Sequence, residues 1–540
     1  MLRAASILGE TFWRAAVEQI LQAWGLGDSG RQALSELVEA ELVAESETSR
    51  FAGDEQYAFR HALVCEVASG LVSEADRRSG HAVAGTWLEA AGETDGIVLA
   101  RHAVEAGDRP RALEFYTRAA EHSLELYDFD EALTRATLGM ECGAEGTALG
   151  LLEAVRCAAF FSKGRWMDAA EVGLRALALL PQGGIYWCLT AERLMQVLPN
   201  VGAFEENERL AGEIRSIRPV AGARAPYLRA LCAQLLGYAI SAEHARGKAC
   251  IALIDELVQV EVEPDPVARG YAQLWRGAYA TIASDDFENA LVNAERAVRD
   301  LETSQVVYRL SLAQIVRGFS LWGLGRLEES ERAVREAKAI AQRVHDSYHV
   351  GLADWYLGLT LCESDDEARL AEADRCALTM VELDVSPIFE PTARIIRAHV
   401  AVARKDWVRA ETDGRHVRQT LTGILPYSLM ASAALMDSLV AQGRGAEAAV
   451  VAREDLAALA ALEGPIFSEI QFRVSAAEAL FAGGEQALAE STVRQALRQL
   501  ERRASHIADA SQRRTYLDGL RHARRARALE RRWLEPARGA

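Results

Sequence analysis

The chain has 540 residues, with 60 basic and 78 acidic side chains and a formal net charge of −18. Half of the residues are hydrophobic and 26% are charged, a composition that excludes wholesale disorder. Twelve prolines, 7% aromatic residues and abundant alanine favour helices over β-sandwiches or barrels, and the length suggests several domains or one long repeat array.

The cysteine pattern and the apolar runs indicate the compartment. The eight cysteines are scattered and include no C-x-x-C pair, which is typical of reduced, buried thiols. No apolar stretch reaches the about 18 residues of a membrane span, and the N-terminus lacks the features of a secretory signal. We therefore predict a cytoplasmic protein that has no membrane association.

Residues 1–92 differ from the rest of the chain and begin with short helices. Apolar periodicity predicts helices over 2–8, 12–21 and 31–40, with Asp28 or Ser29 as the N-cap of the third. The segments 41–46 and 56–60 alternate apolar and polar residues around Gly53-Asp54, which indicates a β-hairpin. Two more helices are predicted, at 61–73 and 74–91. Three helices followed by a hairpin predict a small winged-helix domain.

A winged helix raises the alternative of a transcription regulator that contacts DNA, because such proteins place a helix in the major groove. The charge of this region argues against it. Residues 1–80 carry seven arginines against 13 acidic residues, and the candidate recognition helix includes Glu36 and Glu39. An acidic face repels the phosphate backbone that supplies most of the affinity for DNA. We therefore favour a connector role for this domain.

Residues 93–493 show a repeat of helix pairs. Its signature is a turn residue followed five positions later by a small residue on the next helix, and after the first interval it recurs every 37 to 42 residues. Close contact of two antiparallel helices requires small side chains there. Weaker matches start at 202, 244 and 366. The residues predicted to pack the repeats are Gly107, Ala112, Gly164, Ala169, Ala290, Gly325, Ala410, Gly443, Ala448 and Ala489.

The turn-plus-alanine pattern resembles the tetratricopeptide repeat (TPR), whose usual period is 34. A period near 40 implies helices or loops that are longer by about one turn. The predicted fold is therefore all-α: a TPR-like α-solenoid with a continuous concave face, preceded by the winged helix with one β-hairpin. Residues 494–540 are predicted to form basic C-terminal capping helices.

Both ends of the chain carry a wider resemblance. The start Ala4-Ala5-Ser6-Ile7-Leu8-Gly9-Glu10-Thr11-Phe12-Trp13, the run from Tyr57 to Val64, and Leu99-Ala100-Arg101-His102 resemble bacterial signalling proteins. In these, an AAA/STAND-type ATPase precedes a winged helix and TPR-like repeats, often with a kinase, cyclase or LuxR-type module. The resemblance implies the C-terminal, sensing half of such a regulator, with the ATPase or kinase module supplied in cis or in trans.

Catalytic and cofactor motifs are missing from the sequence. The only Gly-Lys pair, Gly247-Lys248, lacks the first glycine and the hydroxyl residue of a phosphate-binding loop. His345, Asp346 and His349 are the nearest approach to a metal cluster, but zinc needs further ligands. We therefore predict no catalytic, cofactor-binding or metal-binding residues. Any ATPase or kinase activity would reside in a separate module, and an enzyme with an unrecognised site is a third hypothesis.

Two charged features remain open. Arg60 and His61 follow the hairpin, where they are candidates either for an interdomain contact with an ATPase or for local packing. Residues 494–540 carry 13 arginines against five acidic residues, a net charge of +8 that leaves −26 for the rest. This tail is either a cap of the solenoid or a docking surface for an acidic partner or nucleic acid. The function predicted overall is a non-catalytic scaffold that binds a protein segment or a small effector on its concave face.

Overall fold

A computed structural model describes residues 1–27, 30–259, 266–284, 286–304, 307–422, 424–462 and 464–534. The candidate N-caps Asp28 and Ser29 and the end of the basic tail lie outside these residues. The chain forms two compact units. Unit 1 comprises 1–159 and 178–180, and unit 2 comprises 160–177 and 181–540. Residues 93–159, which the sequence assigns to the repeats, thus belong to unit 1.

Unit 1 contains the first elements of the chain, and its last helix runs into unit 2. In chain order they are α1 (Leu2–Leu8), β1 (Thr11–Trp13), α2 (Arg14–Ala23), α3 (Gly30–Glu39), β2 (Val43–Glu45), β3 (Gln56–Phe59), α4 (Ala62–Gly70), α5 (Glu74–Ala91), α6 (Gly96–Ala106), α7 (Arg109–Glu125), α8 (Phe129–Glu141) and α9 (Gly146–Ser162).

The sheet of unit 1 has three antiparallel strands in the order β1-β3-β2, one more than the predicted hairpin. Thr11 to Trp13, predicted as the start of a helix, instead pair with Ala58 to Gln56. The reason is tertiary packing. Phe12 is fully buried, and its ring lies 5.8 Å from that of Tyr57 and 5.4 Å from that of Phe59, measured between centroids. Aromatic residues suit a half-buried pleated surface, so this contact overrides the local helical periodicity.

A histidine pair joins α5 to α6 in the core of unit 1. The Nδ1 atoms of His81 and His102 lie 3.0 Å apart, and both side chains are buried. Such a contact requires one Nδ1 to carry a proton and the other to accept it, so the two rings are opposite tautomers. The hydrogen bond therefore ties the two helices together as long as at least one of the rings is neutral.

Unit 2 consists of helices that follow one another in pairs. They are α10 (Trp166–Leu179), α11 (Ile185–Val197), α12 (Phe204–Ser216), α13 (Arg224–Ile240), α14 (His244–Gln259), α15 (Pro266–Tyr279), α16 (Phe287–Thr303), α17 (Val307–Gly323), α18 (Leu327–Arg343), α19 (Ser347–Leu361), α20 (Glu367–Leu383), α21 (Phe389–Arg404), α22 (Trp407–Thr420), α23 (Leu425–Ala441), α24 (Gly445–Ala460), α25 (Glu469–Ala482), α26 (Gln486–His506), α27 (Ala510–Gly519) and α28 (Arg521–Leu529). A 3₁₀ turn (Leu198–Val201) and π turns (Ala280–Ser284 and Glu530–Leu534) extend α11, α15 and α28.

Several turns within the pairs share one backbone design, although the turn between α19 and α20 has no left-handed residue. A left-handed residue ends the first helix, and the next residue begins the second. Between α21 and α22, Lys405 has φ 61° and the side chain of Asp406 accepts a hydrogen bond from the backbone N–H of Arg409. This arrangement satisfies groups that a helix end leaves unpaired. The repeated helix pairs confirm the all-α, helical-repeat part of the predicted fold.

Segments of unit 2 that are far apart in the sequence contact one another directly. The ring centroids of Trp166 and Tyr348 lie 4.5 Å apart. The backbone N–H of Phe467 donates to the carbonyl of Ile282 at 3.3 Å. Sequence periodicity reports packing against neighbouring helices only, so it could not show these contacts. Among the described residues, none of the helices has the length and apolar character that crossing a membrane requires.

Candidate functional site

The residues predicted to pack the repeats lie at helix turns and helix contacts. Each of the four glycines has a positive φ: 80° at Gly107, 71° at Gly164, 73° at Gly325 and 75° at Gly443. At Gly164 a Cβ atom would lie 2.5 Å from Cβ of Val385, so only glycine fits. The six alanines have no exposed area; they are Ala112, Ala169, Ala290, Ala410, Ala448 and Ala489. These side chains position helices, and the chemistry of a site must come from elsewhere.

Two of the weaker repeat matches are out of register. Near 244 the left-handed residue is Ala242, with φ 57°, and Gly247 is the small residue that packs, directly against the ring of Tyr279. At the match beginning at 366, Ala371 is only half-buried, whereas the adjacent Leu370 is buried. Large side chains can replace the alanine where the helices stand further apart, which a fixed sequence spacing does not reveal.

Arg60 and His61 are exposed at the start of α4. The same helix exposes Leu63, Val67 and Leu71, which follow one another at intervals of four residues and therefore share one face. An exposed apolar row beside two basic groups is a surface feature of unit 1 and takes no part in its core.

An interior cavity of unit 2 has a volume of about 120 Å³. The first helices of seven successive pairs contribute to its wall: α11, α13, α15, α17, α19, α21 and α23. Phe161 and Trp166 close it from the start of the unit. The sequence analysis missed this site because its residues come from segments more than 250 positions apart.

Aromatic rings dominate the cavity wall. They are Phe161, Trp166, Phe204, Trp275, Phe319, Tyr348, Trp355, Tyr356, Phe389 and Tyr427. Tyr348 stacks on Phe389 with an interplanar angle of 11°, and the centroids of Phe319 and Tyr356 lie 4.6 Å apart. The chain is only 7% aromatic, so ten rings around one space form a marked local concentration. Rigid rings hold a cavity open where flexible aliphatic side chains would fill it.

The polar groups of the wall are neutral amides and hydroxyls, together with one histidine. Among the described residues that line the cavity there is no arginine, lysine, aspartate or glutamate. Behind the wall, Nδ1 of His349 lies 2.6 Å from Oδ2 of Asp346. Burial acts to raise the pKa of Asp346, but the attraction of His349 outweighs it and holds this pKa below its ordinary value. The carboxylate is therefore engaged by His349 and does not face the cavity.

The tyrosines of the wall stay neutral over the whole physiological pH range. Burial raises the pKa of Tyr427 to about 12 and raises that of Tyr348 further. Burial also raises the pKa of Tyr356, with Tyr427 adding to the effect. Neutral phenols can donate or accept hydrogen bonds, but they supply no anion for a positively charged ligand.

Gly237 on α13 leaves room on the cavity wall. The nearest atom to a Cβ added there is Nδ2 of Asn207, at 3.8 Å, which is an ordinary contact distance. A larger side chain at this position therefore extends into the cavity. The position is useful experimentally because almost any replacement of a helical glycine favours the helix itself.

A buried ionic cluster adjoins the cavity through Gln196, which lines the wall. Arg309 donates to the Gln196 side-chain oxygen at 3.2 Å and to Glu192 at 2.8 Å. Arg229 reaches the other carboxylate oxygen of Glu192 at 2.6 Å. Burial disfavours the charged form of Glu192, but the two guanidinium groups outweigh it and hold the pKa of Glu192 below its ordinary value. The cluster fixes the position of the amide in the wall.

Several arginines of the basic tail pair with acids inside unit 2. Arg525 pairs with Asp437 at 2.9 Å and also with Glu478. The backbone N–H of Arg521 donates to Glu363 at 2.8 Å, and its side chain pairs with Asp365 at 2.9 Å. The charges of Arg521 and Arg525 on α28 are thus paired within the unit.

The other candidate chemistry is not assembled. His345 is exposed and lies in the turn before α19, while Asp346 caps that helix and pairs with His349. Within the described ranges, no three histidine, cysteine or acidic side chains are grouped as metal ligands. The eight cysteines are buried or half-buried.

Solved structures with a similar arrangement of helices share little sequence with this chain. A STAND (Signal Transduction ATPase with Numerous Domains) protein with a tetratricopeptide repeat sensor, from Pyrococcus horikoshii, is 12% identical with a TM-score of 0.47, covering 78% of this chain and 62% of that one. The APC/C hetero-tetramer Cut9–Hcn1 is 13% identical with a TM-score of 0.44, and the match covers 86% of this chain and 94% of that one. The Rap protein complexed with Competence and Sporulation Factor is 12% identical with a TM-score of 0.43, and the match covers 64% of this chain and 98% of that one.

This chain thus matches about three fifths of the length of the STAND protein. No protein-family profile matches the sequence, and no curated protein is recognisably related to it.

Proposed function

We propose that this protein is a non-catalytic sensing scaffold whose unit 2 binds an effector in its interior cavity. The single observation that carries the proposal is the cavity itself, which ten aromatic rings from helices between α9 and α23 line. Apolar pockets with a few placed polar groups are the usual form of small-molecule sites. Apart from His349, which pairs with Asp346, the described residues of the wall include no acidic or basic side chain, which supports a binding role rather than catalysis.

Binding in this position would act on the whole of unit 2. A ligand that contacts α11 and α23 together stabilises the arrangement in which both helices face one space. It shifts the population toward that arrangement by as much as its affinities for the two states differ. This property makes the cavity suited to sensing, with a protein segment or a small effector as the partner.

We further propose that unit 1 is a winged-helix connector and that the chain is the cytoplasmic regulatory half of an ATPase regulator. The three helices and three-stranded sheet of its first 60 residues support the winged-helix assignment. The exposed face of α3 carries Glu36 and Glu39, which favours a connector over DNA binding. The exposed Arg60 and His61, beside the apolar row on α4, form the proposed contact with an ATPase or kinase module.

Ligand binding to the purified chain tests the sensing role. A small-molecule library is screened by thermal shift, and each compound that raises the melting temperature is tested again on Gly237→Leu, which extends a side chain into the cavity. A cavity ligand loses its effect on this variant. Gly212→Leu on α12 is the matched control, because no atom lies within 4 Å of a Cβ at this glycine. A screen in which no compound depends on Gly237 would refute the cavity as a sensing site.

The genomic reading frame upstream of the Met1 codon tests the regulatory role separately. An in-frame Walker-type ATPase would support the proposed regulator. A stop codon with a ribosome-binding site before Met1 would contradict it and leave a free-standing scaffold.

A further inference from the structure

We infer that the cavity of unit 2 selects a neutral, flat, one- or two-ring molecule with a hydrogen-bonding group, and discriminates against charged molecules of the same shape. This inference rests on the proposed sensing function and adds the chemical class of the ligand. Three properties of the cavity wall support the inference: its charge, its shape and its polar groups.

Charge is the first criterion. The described lining residues include no acidic or basic side chain apart from His349, and that histidine is engaged by Asp346. The wall tyrosines are neutral, since their pKa values are raised by burial. A carboxylate or an ammonium group that entered the cavity would lose its water without gaining a counter-ion, which is costly in an apolar site. A neutral ligand has no such cost.

Shape is the second criterion. Trp166, Tyr348 and Phe389 form a row in which Trp166 packs on Tyr348 and Tyr348 stacks on Phe389, with centroid distances of 4.5 and 5.4 Å. Phe319 and Tyr356 form a second tilted contact at 4.6 Å. Planar molecules extend such rows by offset or edge-to-face contact, whereas a flexible chain must lose conformational freedom. The volume of about 120 Å³ is of the order of an engineered apolar cavity, of about 150 Å³, that binds benzene.

Polar groups are the third criterion. The indole N–H of Trp275 and Oδ1 of Asn207 are buried, and neither has a hydrogen-bond partner in the described protein. Both residues belong to the cavity wall, and Trp275 is only 2% exposed. Buried polar groups without partners are rare in native proteins. A ligand that offers a donor or an acceptor on its ring gives such groups a partner after a small adjustment of the wall.

A matched set of indoles tests the inference directly. Indole is neutral and carries one N–H donor, indole-3-acetate adds a negative charge, and tryptamine adds a positive charge. Binding of each to the full chain is measured by isothermal titration calorimetry at pH 7. We expect indole to bind, and each charged analogue to bind at least tenfold more weakly. Gly237→Leu should weaken indole binding at least tenfold, while Gly212→Leu should leave it unchanged.

The outcomes separate this inference from the function on which it rests. If indole-3-acetate or tryptamine binds as tightly as indole and depends on Gly237, the ligand class is wrong but the cavity remains a sensing site. If no indole binds while other compounds show Gly237-dependent binding, the ligand class is again wrong. If neither the indoles nor any library compound depends on Gly237, the inference and the sensing function both fail.

Discussion

The guanidinium of Arg309 donates to the carboxylate of Glu192 at 2.8 Å, across 117 positions of the sequence. Both side chains are almost completely buried. The contact joins α17 to α11, which belong to different helix pairs and are separated by two others. A charged pair in this position makes the interior of unit 2 dependent on long-range contacts, and not only on the stacking of neighbouring repeats.

Replacement of Glu192 by glutamine should destabilise unit 2 strongly. Removal of the carboxylate takes away the anion that Arg309 and Arg229 share, and breaking a buried pair in this way typically costs about 3–5 kcal/mol. We expect the free energy of unfolding, measured by urea denaturation, to fall by a comparable amount.

An exposed ion pair provides the control for this substitution. Glu213 lies 4.0 Å from Arg209, and both side chains are well exposed. Because exposed pairs contribute about 0–1 kcal/mol, Glu213→Gln should change stability only slightly. Equal effects of Glu192→Gln and Glu213→Gln would show that the buried cluster has no special role.

The His81–His102 pair should make unit 1 sensitive to acid. Burial, with Arg101 and Arg77 adding to it, lowers the pKa of His81 to about 4. Burial, with His81 and Arg101, lowers the pKa of His102 to about 3. In the unfolded chain both have pKa values near 6.5, so the unfolded state takes up protons first as the pH falls. The stabilisation that the two neutral histidines give to unit 1 is fully present above about pH 6.5. It is lost as the pH falls through the pKa of His81, about 4, and then that of His102, about 3.

Urea titrations at pH 7 and pH 4 measure this loss through the fluorescence of the ten tryptophans, among them Trp13 and Trp87, which stack in unit 1. One pKa unit corresponds to about 1.4 kcal/mol, and at pH 4 each histidine contributes about two such units, so we expect a decrease on the order of 6 kcal/mol. His102→Gln should remove about half of the pH dependence, and the exposed His122→Gln should leave it unchanged. A wild-type stability that is equal at both pH values would contradict the assignment of neutral rings.

Local patterns in the sequence were sufficient to predict most of the helices and turns. Glu74–Ala91 is a helix with the predicted bounds, and the strands Val43–Glu45 and Gln56–Phe59 lie where alternation predicts a hairpin. The strand Thr11–Trp13 was missed because its β conformation depends on contacts with Tyr57 and Phe59, about 45 positions away. A three-residue segment carries too little periodicity to oppose the adjacent helix.

The candidate site could not be predicted from local sequence patterns, because its residues are far apart in the sequence. Trp166 follows the repeat turn at Gly164 by two positions, and no local signal shows that its ring packs on Tyr348 in the cavity wall. Glu192 and Arg309 carry no motif, and only the folded chain brings them together. Repeat periodicity gives the contacts between neighbouring helices, while the curvature that brings distant pairs together depends on many small side-chain differences.

The repeat alanines should not tolerate larger side chains. Ala448 has no exposed area, whereas Ala446 on the same helix, α24, is exposed. Overpacking of a filled contact typically costs about 1–3 kcal/mol, so Ala448→Leu should lower the free energy of unfolding by that amount. Ala446→Leu adds the same side chain to the same helix at a solvent-facing position and should change stability little. If the two variants are equally stable in urea, the small residue has no packing role.

Lys405 occupies the left-handed turn position that glycine holds at Gly325 and Gly443, with φ 61° against 73° and 75°. A side chain in this conformation costs about 1–2 kcal/mol, and replacement by glycine removes that cost. The greater flexibility of glycine in the unfolded chain offsets part of the resulting stabilisation. Lys405→Gly should therefore raise the free energy of unfolding by about 0.5–1 kcal/mol. Lys405→Ala removes the exposed charge but keeps the backbone strain, so it should be no more stable than the wild type. Stabilisation by alanine equal to that by glycine would show that the charge of Lys405, and not its backbone conformation, limits the stability of this turn.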